Sequence, residues 1–294
     1  MKRKTFIKQS GVIVFGLAAF GNIHWNGDAY VSDSPTTTDI LGPFYRPGAP
    51  LRTNLNPPGY SGDVLKLSGT VYRDHGKTPA RGCKIEIWQC KPDGYYDNLS
   101  NDYSYRGYTT TGKNGKYEFI TVQPPPEPTD ETKSVYRPAH IHLRITASGQ
   151  QDLITQIYFS GDQLLSSDPS TKSSLTINRI LTVERLEEKV NLIHFDIFLG
   201  KDKSPDSMLV QRVCGTYKMS DGSLMEFYED GELLFYKING QIWGALSYRS
   251  DNTFTGMNTE ATFAPANDGT ATVHFEFLRR RETKLDGKKI LDYQ

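Results

Sequence analysis

The sequence predicts an all-β protein built from two units, and three observations point there. Short runs such as LKLSGTVY (65–72) and KYEFITV (116–122) alternate apolar and polar residues, the period of two that a half-buried strand requires. Aromatic residues make up 12% of the chain, with 17 Tyr and 14 Phe, and such side chains suit pleated surfaces. Gly-containing turn dipeptides punctuate the C-terminal third, and no long helical period appears anywhere.

A chain of 294 residues is too long for one small domain and about right for two. The expected organisation is an export signal over 1–21, a linker or arm over 22–40, a β core over 41–200 and a second β unit over 208–294. The basic start Met1-Lys2-Arg3-Lys4, the apolar run GVIVFGLAAF (11–20) and small residues after it have the layout of a secretory signal. The run is too short to span a bilayer. KRKTFIK is similar to a twin-arginine signal with Lys-Arg for Arg-Arg, so the expected location is periplasmic or extracellular, with no integral span after signal removal. Formal net charge is zero, which supplies no electrostatic pull on nucleic acid or an anionic membrane.

Residues 22–40 are Pro/Thr-rich and read as extended. Strands are expected at 65–72, 83–89, 116–122, 141–145, 153–159 and 195–199, with Lys113-Asn114-Gly115 as a hairpin turn and Arg73-Asp74-His75-Gly76 as another. SLTINRILTV (174–183) reads as strand and ERLEEKV (184–190) as a helical turn. Residues 200–205 read as a linker. Beyond them, Asp221-Gly222, Asp230-Gly231 and Asn239-Gly240 fall nine residues apart, followed by Asp268-Gly269 and Asp286-Gly287, which predicts an antiparallel sheet or small barrel. That unit holds Cys214 and His274 without a cluster of His, Cys and carboxylate in the sequence. Three cysteines cannot form a complete disulfide set. Cys83 and Cys90 sit on opposite faces of one strand, about 23 Å apart, so buried free thiols are expected.

The stretch YRPAHIH (136–142) carries two of the six histidines. Residues i and i+2 of a strand share a face, so His140 and His142 project side by side. They are either an ordinary hydrogen-bonded pair or two ligands of one metal. Around them the chain reads ILGPFYRPGAP (40–50), EIWQCKPDGYY (86–96), YRGYTTTGKNGKYEFITVQP (105–124), YRPAHIHLRI (136–145) and ITQIYFSGD (154–162). In this order these motifs closely resemble the intradiol ring-cleavage dioxygenases over roughly residues 37–199.

The resemblance implies an antiparallel β-sandwich and a non-haem Fe(III) site with one iron per chain. It implies that His140, His142 and Tyr96 are metal ligands, with Tyr95 the competing register for the tyrosine. Arg137 would support the substrate as negative charge develops, and Gln156 would lie beside a ligand histidine. The implied reaction cleaves a small aromatic diol between its hydroxyls with O₂ to a muconate-type diacid. A homo-oligomer would also be in keeping with the family.

The chain departs from the family at the second tyrosinate. Where the family has a Pro-rich turn with a tyrosine, this sequence has Gln123-Pro124-Pro125-Pro126-Glu127-Pro128. Glu127 is either a carboxylate ligand, which hard ferric iron accepts, or a solvated loop residue. Tyr136 is expected as a wall residue. Two alternatives accompany the main reading: a dioxygenase-fold protein whose altered site does weak or different oxygen chemistry, and a non-catalytic β-sandwich binding module. Bland roles are expected for His194 (packing), Trp88 (core), and Arg46 and Arg52 (surface).

Overall fold

The computed structural model describes residues 23–25, 30–32, 35–73, 78–129, 134–172, 174–200, 205–278 and 283–290. The expected signal segment and the His75 turn lie outside them. The first unit contains β1 (Ile23–Trp25), β2 (Tyr30–Ser32), β3 (Val64–Arg73), β4 (Thr78–Pro79), β5 (Lys84–Trp88), β6 (Arg106–Thr110) and β7 (Lys116–Thr121). It continues through β8 (Glu127–Pro128), β9 (Tyr136–Arg137), β10 (His140–Ala147), β11 (Gln150–Phe159), β12 (Ile180–Leu181), β13 (Glu184–Glu187), β14 (Val190–His194) and β15 (Ile197–Phe198).

One sheet has the order β12-β11-β10-β5-β6, and the other is built on β3, which pairs with β14, β15, β4 and β7. Leu65, Leu67 and Phe119 from the second sheet meet Ile85, Ile87, Ile141, Leu143 and Ile157 from the first in one core. This is the expected β-sandwich. Strand β10 follows the pleat: Ile141, Leu143 and Ile145 face that core, so His140, His142 and Arg144 face the other way. That outer face is buried as well, because residues 39–45, the loop after β5 and the second unit cover it.

The second unit starts at α1 (Ser207–Val213), capped by the Asp206 carboxylate accepting from the Met208 amide. Eight strands follow: β16 (Gly215–Met219), β17 (Leu224–Asp230), β18 (Leu233–Ile238), β19 (Gln241–Ser250), β20 (Thr253–Thr255), β21 (Thr259–Pro265), β22 (Ala271–Phe277) and β23 (Thr283–Lys289). They form a closed antiparallel barrel, with β16 pairing to β23. Leu209 and Val213 of α1 pack into its aromatic core. Among the described residues no helix is long and apolar enough to cross a membrane.

Several local expectations are corrected. Residues 174–179 form a 3₁₀ helix, not a strand, and ERLE is β13, not a helical turn. All four β13 residues are exposed, so no apolar stripe exists to bury a helix, and Lys189 at φ +61 turns the chain back into β14. Asp286-Gly287 lies inside β23, where a Cβ on Gly287 would run into the Met219 sulfur. That glycine serves close packing. Pairing across β22 and β23 sets His274 between Asp286 and Glu276, at 2.8 and 3.1 Å, a cluster that sequence separation concealed. His194 does not pack; its exposed ring pairs with Asp196 at 3.0 Å. Cys83 and Cys90 are buried free thiols, whereas Cys214 is half-buried.

The units meet along the outer face of the β5-β10-β11 sheet. Leu233 and Phe235 of the barrel join Leu41, Tyr45, Trp88 and Ile154 in one apolar cluster. At its edge Arg144 donates to Asp152 (2.7 Å), to the Asp230 carboxylate (2.9 Å) and carbonyl (2.8 Å), and to the Tyr45 hydroxyl (3.0 Å). Replacing Arg144 with Met strands the fully buried Asp152 carboxylate. We expect Arg144→Met to cost about 3–5 kcal/mol, read as a lower urea midpoint by tryptophan fluorescence.

Candidate metal and active site

Three strands set the site in one row. His142 of β10 lies opposite Trp88 of β5 on one side and Gln156 of β11 on the other, and His140 lies opposite Tyr158. The WQ, HIH and TQxYF motifs are therefore neighbours because strand register makes them so. Trp88 stacks on His142 with centroids 4.8 Å apart and planes 12° from parallel. Trp88 is buried as expected and also orients that imidazole.

Tyr96 arrives from the loop after β5. Gly94, at φ +86, turns the KPDG segment, and its amide donates to the Lys91 carbonyl at 2.9 Å. The buried Arg106 then grips the loop, donating to the Asp97 carbonyl (2.9 Å), to Asn98 Oδ1 (2.9 Å) and to the Phe44 carbonyl (2.7 Å). Burial brings its pKa down to about 10. Phe44 stacks on the Tyr96 ring at 4.5 Å. Tyr95 points outward and is 47% exposed, while Tyr96 is buried, which separates the two registers the sequence left open.

Glu127 is 6% exposed and is no solvated loop residue. Standing before Pro128 biases it to extended backbone, and the short β8–β9 ladder sets it opposite Arg137. Its Oε2 lies 2.9 Å from His140 Nε2 and accepts from the Tyr96 hydroxyl at 3.2 Å. That hydroxyl lies 3.4 Å from His140 Nε2. His140 Nδ1 is 2.7 Å from the Pro138 carbonyl. A carbonyl only accepts, so Nδ1 carries a proton and Nε2 faces the cluster.

Glu127, His140 and His142 each offer a ligand atom within 4.8 Å of the others, and all three are buried. His142 Nδ1 is buried with no hydrogen-bond partner. Two imidazoles, a carboxylate and a phenol converging on one buried point form a donor set that fits a hard or borderline metal ion, ferric iron included. Electrostatics agree. Burial, then the charges of His140, Arg137 and Arg106, hold the His142 imidazolium well below the ordinary range, keeping the ring neutral. Burial would raise Glu127, but the hydrogen bond and charge of His140, with Arg137, outweigh it and hold the carboxyl below its usual value. Burial and the Glu127 charge push the Tyr96 phenol well up, so only a bound cation would make it a phenolate at neutral pH.

An outer layer fixes Arg137. Its guanidinium donates to Asp168 (2.9 Å), Gln156 Oε1 (2.9 Å) and the Tyr158 hydroxyl (3.2 Å), and one Nη lies 3.4 Å from His140 Nε2. The Gln156 amide donates to the Ile40 carbonyl at 2.8 Å. The Tyr158 hydroxyl contacts Asp39 at 2.8 Å, and Arg179 pairs with that same carboxylate. Sequence reasoning missed Asp39, Asp168, Arg106 and Arg179, which lie up to 140 residues from their partners. Tyr158 was legible as the tyrosine of TQxYF. Tyr136 lines a cavity of about 390 Å³ with Pro126, Pro128 and Leu164 beside the Glu127 ladder. Arg46 stacks over Tyr103, and Arg52 donates to backbone carbonyls of the Tyr96 loop region.

Gly42 of the GPFY stretch, at φ +78, lets that segment press on His142; a Cβ there would sit 3.3 Å from the ring's Cε1. Gly42→Ala should cost about 1 kcal/mol in backbone strain. It should also displace His142, read as a several-fold loss of iron affinity in a chelator competition.

A family model described as Dioxygenase matches residues 40–201. A chlorocatechol 1,2-dioxygenase of Rhodococcus opacus is 32% identical over 220 residues, 66% of this chain and 83% of that one. A hydroxyquinol 1,2-dioxygenase of Nocardioides simplex is 29% identical over 57% of this chain and 60% of its own length. Among solved structures, the dioxygenase domain of a dioxygenase carbohydrate-binding protein fusion from Streptomyces sp. SirexAA-E aligns with a TM-score of 0.50 at 28% identity. That alignment covers 57% of this chain and all of that one. With its sandwich, its HIH strand and the motifs in register around it, the chain belongs to the intradiol ring-cleavage dioxygenases.

Proposed function

We propose that this chain holds one ferric ion through Tyr96, Glu127, His140 and His142, and opens a catechol-type diol between its hydroxyls with O₂ to give a muconate-type diacid. The observation that carries this reading is the buried convergence of those four side chains beside Arg137. The relatives named for chlorocatechol and hydroxyquinol support an ortho-diol as the substrate class. When bound, ferric iron would draw electron density from the chelated diol and expose the ring to O₂.

The protein's own part is positioning and proton handling. Glu127 Oε2, already a hydrogen-bond acceptor for Tyr96, is placed to take a proton from an incoming diol hydroxyl. Arg137, held on three sides by Asp168, Gln156 and Tyr158, sets a fixed positive charge where negative charge develops on the ring. Burial of the whole cluster keeps bulk water from these groups. We also propose export, on the basic start and apolar run of residues 1–20.

A second reading rests on Glu127 alone. Its carboxyl is held below the ordinary value, so it is a much weaker base than the phenolate it replaces. In that reading the site binds iron and works slowly or on other oxygen chemistry.

Iron analysis and visible spectra separate these outcomes. We expect about one iron per chain and a tyrosinate band that shifts on anaerobic catechol and disappears in Tyr96→Phe. Glu127→Ala should weaken iron binding at least about tenfold, the scale already set by loss of outer partners. Protein that stays colourless and refuses iron would sink both readings. Iron-loaded protein that cleaves catechol faster as Glu127→Tyr than as the parent would favour the second.

A further inference from the structure

One guanidinium and two buried carboxylates meet beside the metal cluster. Glu127 and Arg137 stand directly opposite in the β8–β9 ladder, a pairing that sets Cβ atoms about 5 Å apart and favours opposite charges. Their ends converge on one atom: Glu127 Oε2 lies 2.9 Å and an Arg137 Nη 3.4 Å from His140 Nε2. An arginine and a carboxylate within such reach form a strong, often bidentate pair unless something holds them apart. Here Arg137 pairs with Asp168 instead, and Glu127 keeps its contacts with His140 and Tyr96.

The loop after β11 prepares Asp168 for that contact. Asp162 closes the TQIYFSGD stretch, and its carboxylate accepts from the Ala139 amide at 2.8 Å, which pins the loop beside the PAH segment. It also accepts from the Leu164 amide at 2.9 Å, capping the 3₁₀ helix Gln163–Ser166. The chain then folds back: the Asp168 amide donates to the Leu164 carbonyl at 3.1 Å, and the Thr171 hydroxyl donates to the Asp168 carbonyl at 3.1 Å. Asp168 Oδ1 accepts from the Ser170 amide at 2.7 Å, which leaves Oδ2 for Arg137 Nε at 2.9 Å. The residue is 6% exposed, so solvent and salt screen this pair little. With Nε on Asp168 and one Nη on Gln156 and Tyr158, the other Nη is the one that faces His140.

We propose that Asp168 is a positioning residue that holds Arg137 away from Glu127 and so keeps the Glu127 carboxylate available to the metal. The inference rests on the proposed function for Glu127 as a ligand. A phenol at position 127 would not compete for a guanidinium as a carboxylate does, so the need for a rival anion arises with Glu127 itself. Without Asp168 the guanidinium would turn to the carboxylate across the ladder. It would neutralise that charge and occupy the oxygens that the ion requires.

The test measures ferric iron affinity by competition with citrate, on full-length chains verified as folded by circular dichroism. Asp168→Ala should bind iron at least about tenfold more weakly, the scale of a lost outer partner. Asp168→Asn, which keeps the shape and drops the charge, should fall between that variant and the parent. Adding Arg137→Met to Asp168→Ala should recover about fivefold or more, because no guanidinium is left to capture Glu127. A crystal structure of metal-free Asp168→Ala should show the Arg137 guanidinium on the Glu127 carboxylate. Three results overturn the proposal: parental iron affinity in Asp168→Ala, a double variant as weak as the single one, or a metal-free structure in which Arg137 stays on Gln156 and Tyr158. A parent chain that refuses iron would end the proposed function, and the metal-free structure would still decide where Arg137 goes.

Discussion

Strand β10 buries both of its faces, and most of the first unit is arranged around that constraint. One face is ordinary: Ile141, Leu143 and Ile145 enter the sandwich core. The other carries His140, His142 and Arg144, two imidazoles and a cation, each no more than 3% exposed. Buried polar side chains are tolerated only with partners. His140 meets Pro138, Glu127 and Tyr96; Arg144 meets Asp152, Asp230 and Tyr45. Among these three, His142 alone retains a ring nitrogen, Nδ1, without a partner, and its ring offers one nitrogen within 4.8 Å of the candidate ligand atoms of Glu127 and His140.

Glu127 shifts the electrostatics of that donor set. A carboxylate beside His140 and Arg137 is ionised without any metal, so the cluster is pre-charged. The same charge raises the neighbouring Tyr96 phenol. Under the proposed function, Glu127 would be charged before the ion arrives and Tyr96 would be ionised by it. In a site with two phenols both would need the ion to ionise. Beside a phenolate, Glu127 would be the weaker base and the preformed anion, so as a ligand it would favour metal capture over proton abstraction.

Much of this could be read from the sequence because it is local or motif-borne. The period of two gave the strands, the dipeptides of the second unit gave hairpins, and the HIH and TQxYF motifs brought His140, His142 and Gln156 into view. The unread parts depend on non-local contact. No spacing shows that Arg179 reaches Asp39, that Arg106 holds the Tyr96 loop, or that β22 and β23 bring His274 to Asp286. The error at Asp286-Gly287 has the same origin, since a glycine required by Met219 across the barrel looks in sequence like a turn. Glu127 was ambiguous for a related reason: a proline-rich segment reads as exposed until β9 pairs with it.

The barrel is tied to the site by packing as well as by covalent linkage. Phe235 of β18 touches Tyr45, Tyr45 lies edge-on to Trp88 at 5.0 Å, and Trp88 stacks on His142. Arg144 anchors the same patch from the strand that carries the histidines. An aromatic chain of this kind has few alternative arrangements in a close-packed interior. The orientation of His142 therefore depends on a surface that the second unit completes. In this chain the barrel forms part of the enclosure of the candidate metal site, and its own cavity lies against the same short segment, residues 39–43, that closes over the histidine.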